Sequence, residues 1–204
     1  MGGRVHLVLK GAWELNRPQR TSLMKWIDHG FKGLVAKADK TFVMTIADLN
    51  ARSDPTKDSK DTLRHELFFE TEAIPERKCG IIIGECASGY ISITRHRWMG
   101  ICGIDPKTSN KAFLTTDELL GHALANTALH ELGHLFGGFQ DNRDAGNFMS
   151  SVGPPKDERT AMTMRAFFGG TMKWTPEQES KLVENIRAGK KEGDFTIEYI
   201  PMKP

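Results

Sequence analysis

The chain has 204 residues, enough for one substantial domain that can bury roughly 70% of its unfolded surface without disulfides or a structural metal. Hydrophobic residues at 39% and charged residues at 26% exclude collagen-like, fibrous and disordered chains. With 28 Lys+Arg against 26 Asp+Glu, net charge gives no reason to expect nucleic acid or an anionic membrane as partner. No apolar stretch approaches the roughly 20 residues that a membrane span requires. The odd set Cys79, Cys86 and Cys102 favours a reducing compartment, although Cys79 and Cys86 could pair in an oxidising one. The first ten residues are too short and too alternating for a signal peptide. The expected location is therefore cytoplasmic if the chain is complete, and secreted if a leader has been removed.

That first stretch reads as a strand. After it, Leu23, Ile27, Phe31 and Leu34 recur at helical spacing, predicting a helix over residues 19–37. Residues 41–47 are short, branched and aromatic and predict a strand, and the polar run 50–61 predicts a loop. Residues 63–73, 80–83, 90–99 and 111–114 predict further short strands separated by Pro and Gly. On them His65 and His96 alternate with apolar neighbours and are expected to face solvent. Thr115 with Glu118 fits a capping box, and apolar positions through Leu120, Leu124 and Leu135 carry a long helix to Gly137 and Gly138. Residues 152–168, with Met162, Met164, Phe167 and Phe168, are expected to be irregular. Thr175, Pro176 and Gln178 announce a final helix that buries Leu182, Val183 and Ile186. The order describes an α+β domain, with residues 1–137 forming a sheet and helix subdomain and residues 138–204 a smaller one.

Residues 130–134 read His-Glu-Leu-Gly-His. Two histidines four apart lie on one helical face, so both imidazoles can bind one ion at about 2.0–2.1 Å. Glu131, beside them and not itself a ligand, can take a proton from a metal-activated water. Glycine at 137 and 138 allows the positive φ at which the helix stops and the chain turns sharply. Such a turn is needed if a third ligand comes from just beyond the helix. His122, eight residues before His130, lies about 12 Å up the helix and reads as packing or surface. Arg95 to Trp98 could touch an acidic substrate or nucleic acid, but two arginines and one aromatic are a small basic patch.

His-Glu-x-x-His-x-x-Gly, followed by Met149 in a turn after Asn147-Phe148, resembles the metzincin clan of zinc metalloproteases. The resemblance implies a sheet with a backing helix and a long active-site helix, then a small C-terminal subdomain with a Met-turn and a final helix. It implies one catalytic Zn2+, Met149 as the apolar floor beneath it, an extended peptide or protein substrate, and a pocket walled by the stretch after the Met-turn. The same apolar residues could instead simply close the core. The chain departs from the clan in two places. Gln140 occupies the third-ligand position, where an amide oxygen is a poorer partner for zinc than imidazole or carboxylate, so Asp141 and Asp144 compete with it. Ser150 and Ser151 stand where some members carry a tyrosine. A different zinc peptidase arrangement would take a glutamate from the last helix, Glu177, Glu179 or Glu184, and would leave the Gly137 turn without a purpose. The reading is a zinc-dependent endopeptidase using His130, His134 and Asp141 or Gln140 as ligands and Glu131 as general base. Its rival is a catalytically silent metzincin-like module that binds peptides or proteins.

Overall fold

The computed structural model describes residues 3–52, 60–71, 84–85, 90–94, 96–97, 116–151, 158–170 and 172–190. Strand β1 (Arg4–Lys10) leads through a tight turn (Ala12–Glu14) to helix α1 (Arg17–Ile27), a wide π turn (Asp28–Lys32), helix α2 (Gly33–Lys37) and strand β2 (Thr41–Ala47). Strands β3 (Thr62–Glu70), β4 (Gly84–Glu85) and β5 (Tyr90–Ser92) follow. Next come the long helix α3 (Asp117–Leu132), its terminal π turn (Gly133–Gly137), and helices α4 (Glu158–Gly169) and α5 (Pro176–Ala188). The architecture is α+β. The strands form one mixed sheet in the order β2-β1-β3-β5-β4, parallel throughout except for β4, which pairs antiparallel with β5 at the edge. Among the described residues no helix is long and apolar enough to cross a membrane.

Alternation along β1 sends Val5, Leu7 and Leu9 into the same apolar cluster as Leu23, Ile27 and Phe31 of the first helical run, as a period of two requires. Helix α1 begins two residues earlier than predicted. Asn16 accepts from the backbone N–H of Gln19 while the Gln19 side chain accepts from that of Asn16, a reciprocal cap that the periodicity of the apolar stripe does not register. Helix α1 lies along α3. They approach closely because Gly121 faces the backbone carbonyl of Gln19, where any Cβ would collide. Ser22 Oγ donates to the Glu118 carbonyl at 2.6 Å, and Gln19 and Asn16 donate to the Asp117 carboxylate at 2.7 Å. Helix α3 is buried on nearly every face from Leu120 to Leu129, the signature of a central helix rather than a surface one.

Four expectations are corrected. The cap of α3 is Thr116, whose hydroxyl accepts from Leu119 N–H; the three-residue interval to Glu118 points to Thr115, but Leu119 stands at the third helical position and its apolar side chain cannot return a bond to the cap. The strand expected over 90–99 ends at Ser92, and the described residues beyond it are helical. His96 is fully buried rather than solvent-facing: Nδ1 donates to the Ser92 carbonyl at 2.6 Å and Nε2 pairs with the Thr127 hydroxyl at 2.7 Å. A run this short does not distinguish a period of two from a single helical turn. The stretch expected to be irregular contains α4, whose Met164, Phe167 and Phe168 recur at helical spacing and close the core, while Met162 is exposed. The expected strands at 80–83 and 111–114, the three cysteines and residues 152–155 lie outside the described residues.

Candidate metal centre

The last turn of α3 carries His130 out of the core, and the π turn that follows carries His134. Gly133 separates them for a packing reason. A Cβ there would run into Met149 Sδ and lie 2.9 Å from the Trp174 ring, so the fully buried Met149 seats directly beneath the histidine-bearing turn. The helix then stops at Gly138, which takes φ 65° and donates its N–H to the His134 carbonyl at 3.0 Å. The left-handed residue is thus Gly138; Gly137 stays within the turn, where a side chain would strike the Phe139 ring.

This reversal returns the Phe139 carbonyl to His134 Nδ1 at 2.6 Å, and the later loop brings the Phe148 carbonyl to His130 Nδ1 at 2.7 Å. A carbonyl only accepts, so each Nδ1 carries a proton, and it is then Nε2 that turns to the site and offers its lone pair whenever the ring is neutral. The two Nε2 atoms stand 3.0 Å apart, and Asp141 Oδ1 is 3.2 Å from both. Three electron-rich atoms therefore converge, which is repulsive unless a proton or a cation lies among them. Ligands at about 2.0–2.1 Å from a tetrahedral zinc ion stand about 3.3–3.4 Å apart, so the observed edges match a zinc-sized site within a few tenths of an ångström. Ser151 Oγ donates to Asp141 Oδ2 at 2.9 Å and leaves Oδ1 turned toward the histidines.

Electrostatics agree with the geometry. Hydrogen bonding to His130 first, and to His134 next, holds the Asp141 carboxyl well below the usual carboxylate range. Burial opposes charge on His134, but hydrogen bonds to Asp141 and to the Phe139 carbonyl, with the nearby negative charge of Glu131, outweigh it and raise the pKa. Glu131 itself is 3% exposed, one residue from His130 and close enough for its charge to act on His134. The Asp141 side chain is 52% exposed, so the group opens to solvent on that side.

Of the candidate ligands, His130, His134 and Asp141 come together as the one such group of His, Cys, Asp or Glu among the described residues. Gln140 is exposed. Asp144 does not join the group; its backbone N–H donates to Asn142 Oδ1 and its carbonyl accepts from Asn147 N–H. Glu177 and Glu184 are exposed on α5, and Glu179 pairs with Lys37 at 3.0 Å. His122 is buried and stacked on Trp26, with ring centroids 4.0 Å apart, and His65 is half-buried on β3. Sequence reasoning missed Ser151 and the carbonyls of Phe139 and Phe148; a carbonyl's aim has no residue-type signal. No family model, curated protein or solved structure matches the chain.

Proposed function

We propose that the chain is a zinc-dependent endopeptidase of metzincin type. The observation that carries the reading is the convergence of two carbonyl-oriented imidazoles and one carboxylate on a zinc-sized triangle that opens to solvent, since catalytic zinc sites keep three protein ligands and an open position. His130, His134 and Asp141 would hold the ion. Zinc, when bound, supplies Lewis acidity toward a water and toward the scissile carbonyl. Glu131, carried on the same helix, accepts the proton of that water and returns it to the leaving amine. The carbonyls of Phe139 and Phe148 keep both imidazoles in the tautomer that leaves Nε2 free.

The edge strand of the sheet supports the choice of substrate. Among the described residues β4 is the last strand at that edge, runs antiparallel and lies against α3, so an extended peptide adding to it by strand pairing runs beside the helix that bears the ligands.

Purified protein is expected to carry about one zinc per chain after dialysis at neutral pH. Glu131→Gln should retain that zinc while cleavage of an unfolded substrate such as casein falls by about 10²- to 10⁴-fold, the usual contribution of general acid and base work. A chain that stays metal-free when zinc is supplied sinks the proposal. Zinc-loaded wild type that captures peptides from a broad library but cuts none would establish the silent module instead.

A further inference from the structure

The loop that returns to the site supplies two parts of it, the Phe148 carbonyl on His130 and the Asp141 carboxylate, and one side chain ties both together. Asn147 is 3% exposed. Its Oδ1 accepts from Met149 N–H at 2.8 Å and from Asn142 Nδ2 at 3.0 Å, so it grips the residue after Phe148 and the residue after Asp141. Backbone pairing repeats the link, with Asn142 N–H donating to the Met149 carbonyl at 2.7 Å. The other half of the amide faces α5. Asn147 Nδ2 donates to Gln178 Oε1 at 2.8 Å, and Gln178 Nε2 returns a longer bond to Asn147 Oδ1 at 3.3 Å. Gln178 is held in turn by the cap of α5, where its Oε1 accepts from Thr175 N–H at 2.9 Å.

We infer that Asn147, anchored by Gln178, is the positioning residue of the metal centre: it sets the Phe148 carbonyl that dictates the His130 tautomer, and it sets the segment that carries Asp141. The chemistry calls for an amide. One oxygen must accept from a buried backbone N–H while the neighbouring nitrogen donates to Gln178, and neither a carboxylate nor an apolar side chain does both. A ligand imidazole whose N–H loses its carbonyl is free to switch tautomer and turn away its lone pair. Helix α5, which supplies no ligand, thereby becomes part of the site.

The test has one arm that needs no metal and one that rests on the zinc reading. In metal-free protein labelled with ¹⁵N-histidine, at a pH raised until the ring ¹⁵N shifts stop changing, NMR should report Nδ1–H for His130, His134 and His96. Asn147→Ala should shift His130 alone to a mixture of tautomers, because the carbonyls that serve His134 and His96 lie elsewhere. The same variant should bind zinc about 10- to 100-fold more weakly, as is typical when a group behind a ligand is removed. Gln178→Met should change both readouts in the same direction. Gln178→Glu should fall between wild type and Gln178→Met, since its carboxylate still accepts from Asn147 and Thr175 but cannot return the bond to Asn147 Oδ1. His130 remaining Nδ1–H in Asn147→Ala with unchanged zinc affinity overturns the inference. So does equal disturbance of His134 and His96, which would mark Asn147 as a general structural residue. Wild type that binds no zinc defeats the proposed function, and the tautomer arm still decides the role of Asn147.

Discussion

At the residue scale the decisive choice is between Gln140 and Asp141. Ligand chemistry favours a carboxylate over a neutral amide, and the chain places the Asp141 oxygen equidistant from both imidazoles while Ser151 occupies its other oxygen. Asp141→Ala should therefore lower zinc affinity by at least about 10-fold, whereas Gln140→Ala and Asp144→Ala should leave it within about twofold; competition against a chelator of known affinity measures all three. Loss confined to Gln140→Ala would reverse the assignment. The same titration should be pH-dependent. Protons and zinc compete for the same lone pairs, and the raised pKa of His134 means that competition begins at a higher pH than for an ordinary imidazole. Zinc affinity should be full above that raised value and fall as pH drops through it, with excess zinc restoring occupancy. The Asp141 carboxyl, held low, stays ionised throughout.

At the element scale, α3 and its π turn carry the site because of where their glycines fall. Gly121 lets α1 approach and Gly133 makes room for Met149 and Trp174, while Gly33, in the first helical run, faces open space with helical φ −62°. These positions predict opposite outcomes for the same substitution. Gly133→Ala should destabilise by about 1–3 kcal/mol, since the Trp174 ring is buried and cannot yield without repacking. Gly33→Ala should stabilise by about 0.5–1 kcal/mol through helix propensity and reduced freedom of the unfolded chain. Urea unfolding of the two variants separates them, and equal effects would contradict the packing argument.

For the whole molecule, the interior holds two neutral histidines that tie stability to pH. His96 is lowered to about 4, chiefly by burial; His122 is lowered to about 4 by burial first and then by electrostatic interaction with His29 and Lys25. Their folded values lie below the unfolded value near 6.5, so the unfolded chain binds more protons between these limits, and stability rises with pH across that window. Stability should thus be full above about pH 6.5 and fall as pH approaches 4, by up to about 3 kcal/mol for each histidine. In metal-free protein His134 acts in the opposite sense, adding stability at low pH that is lost as pH rises through its raised value. His122→Phe, which keeps an aromatic ring on Trp26, should lose less stability than wild type between pH 6.5 and pH 4. An identical pH slope in the two proteins would show that His122 does not contribute.

What the sequence by itself determined was local. A four-residue interval on a helix puts His130 and His134 on one face whatever surrounds them; Thr175, Pro176 and Gln178 start a helix by satisfying its first N–H groups; alternation in β1 selects the face that meets the helices. These outcomes depend on backbone period and on bonds spanning three or four residues, which any short stretch displays. Only the tertiary structure brings Asp141, and not Gln140 or Asp144, against the two histidines, because the aim of those side chains depends on the φ of Gly138 and on pairing between Asn142 and Met149. It also turned His96 inward onto Thr127 and made a helix of residues 158–169. Burying a polar ring is favourable only when its partners wait on another element. A stretch spaced to bury Met164, Phe167 and Phe168 becomes a helix when a core is present to receive them, and no single segment carries that information.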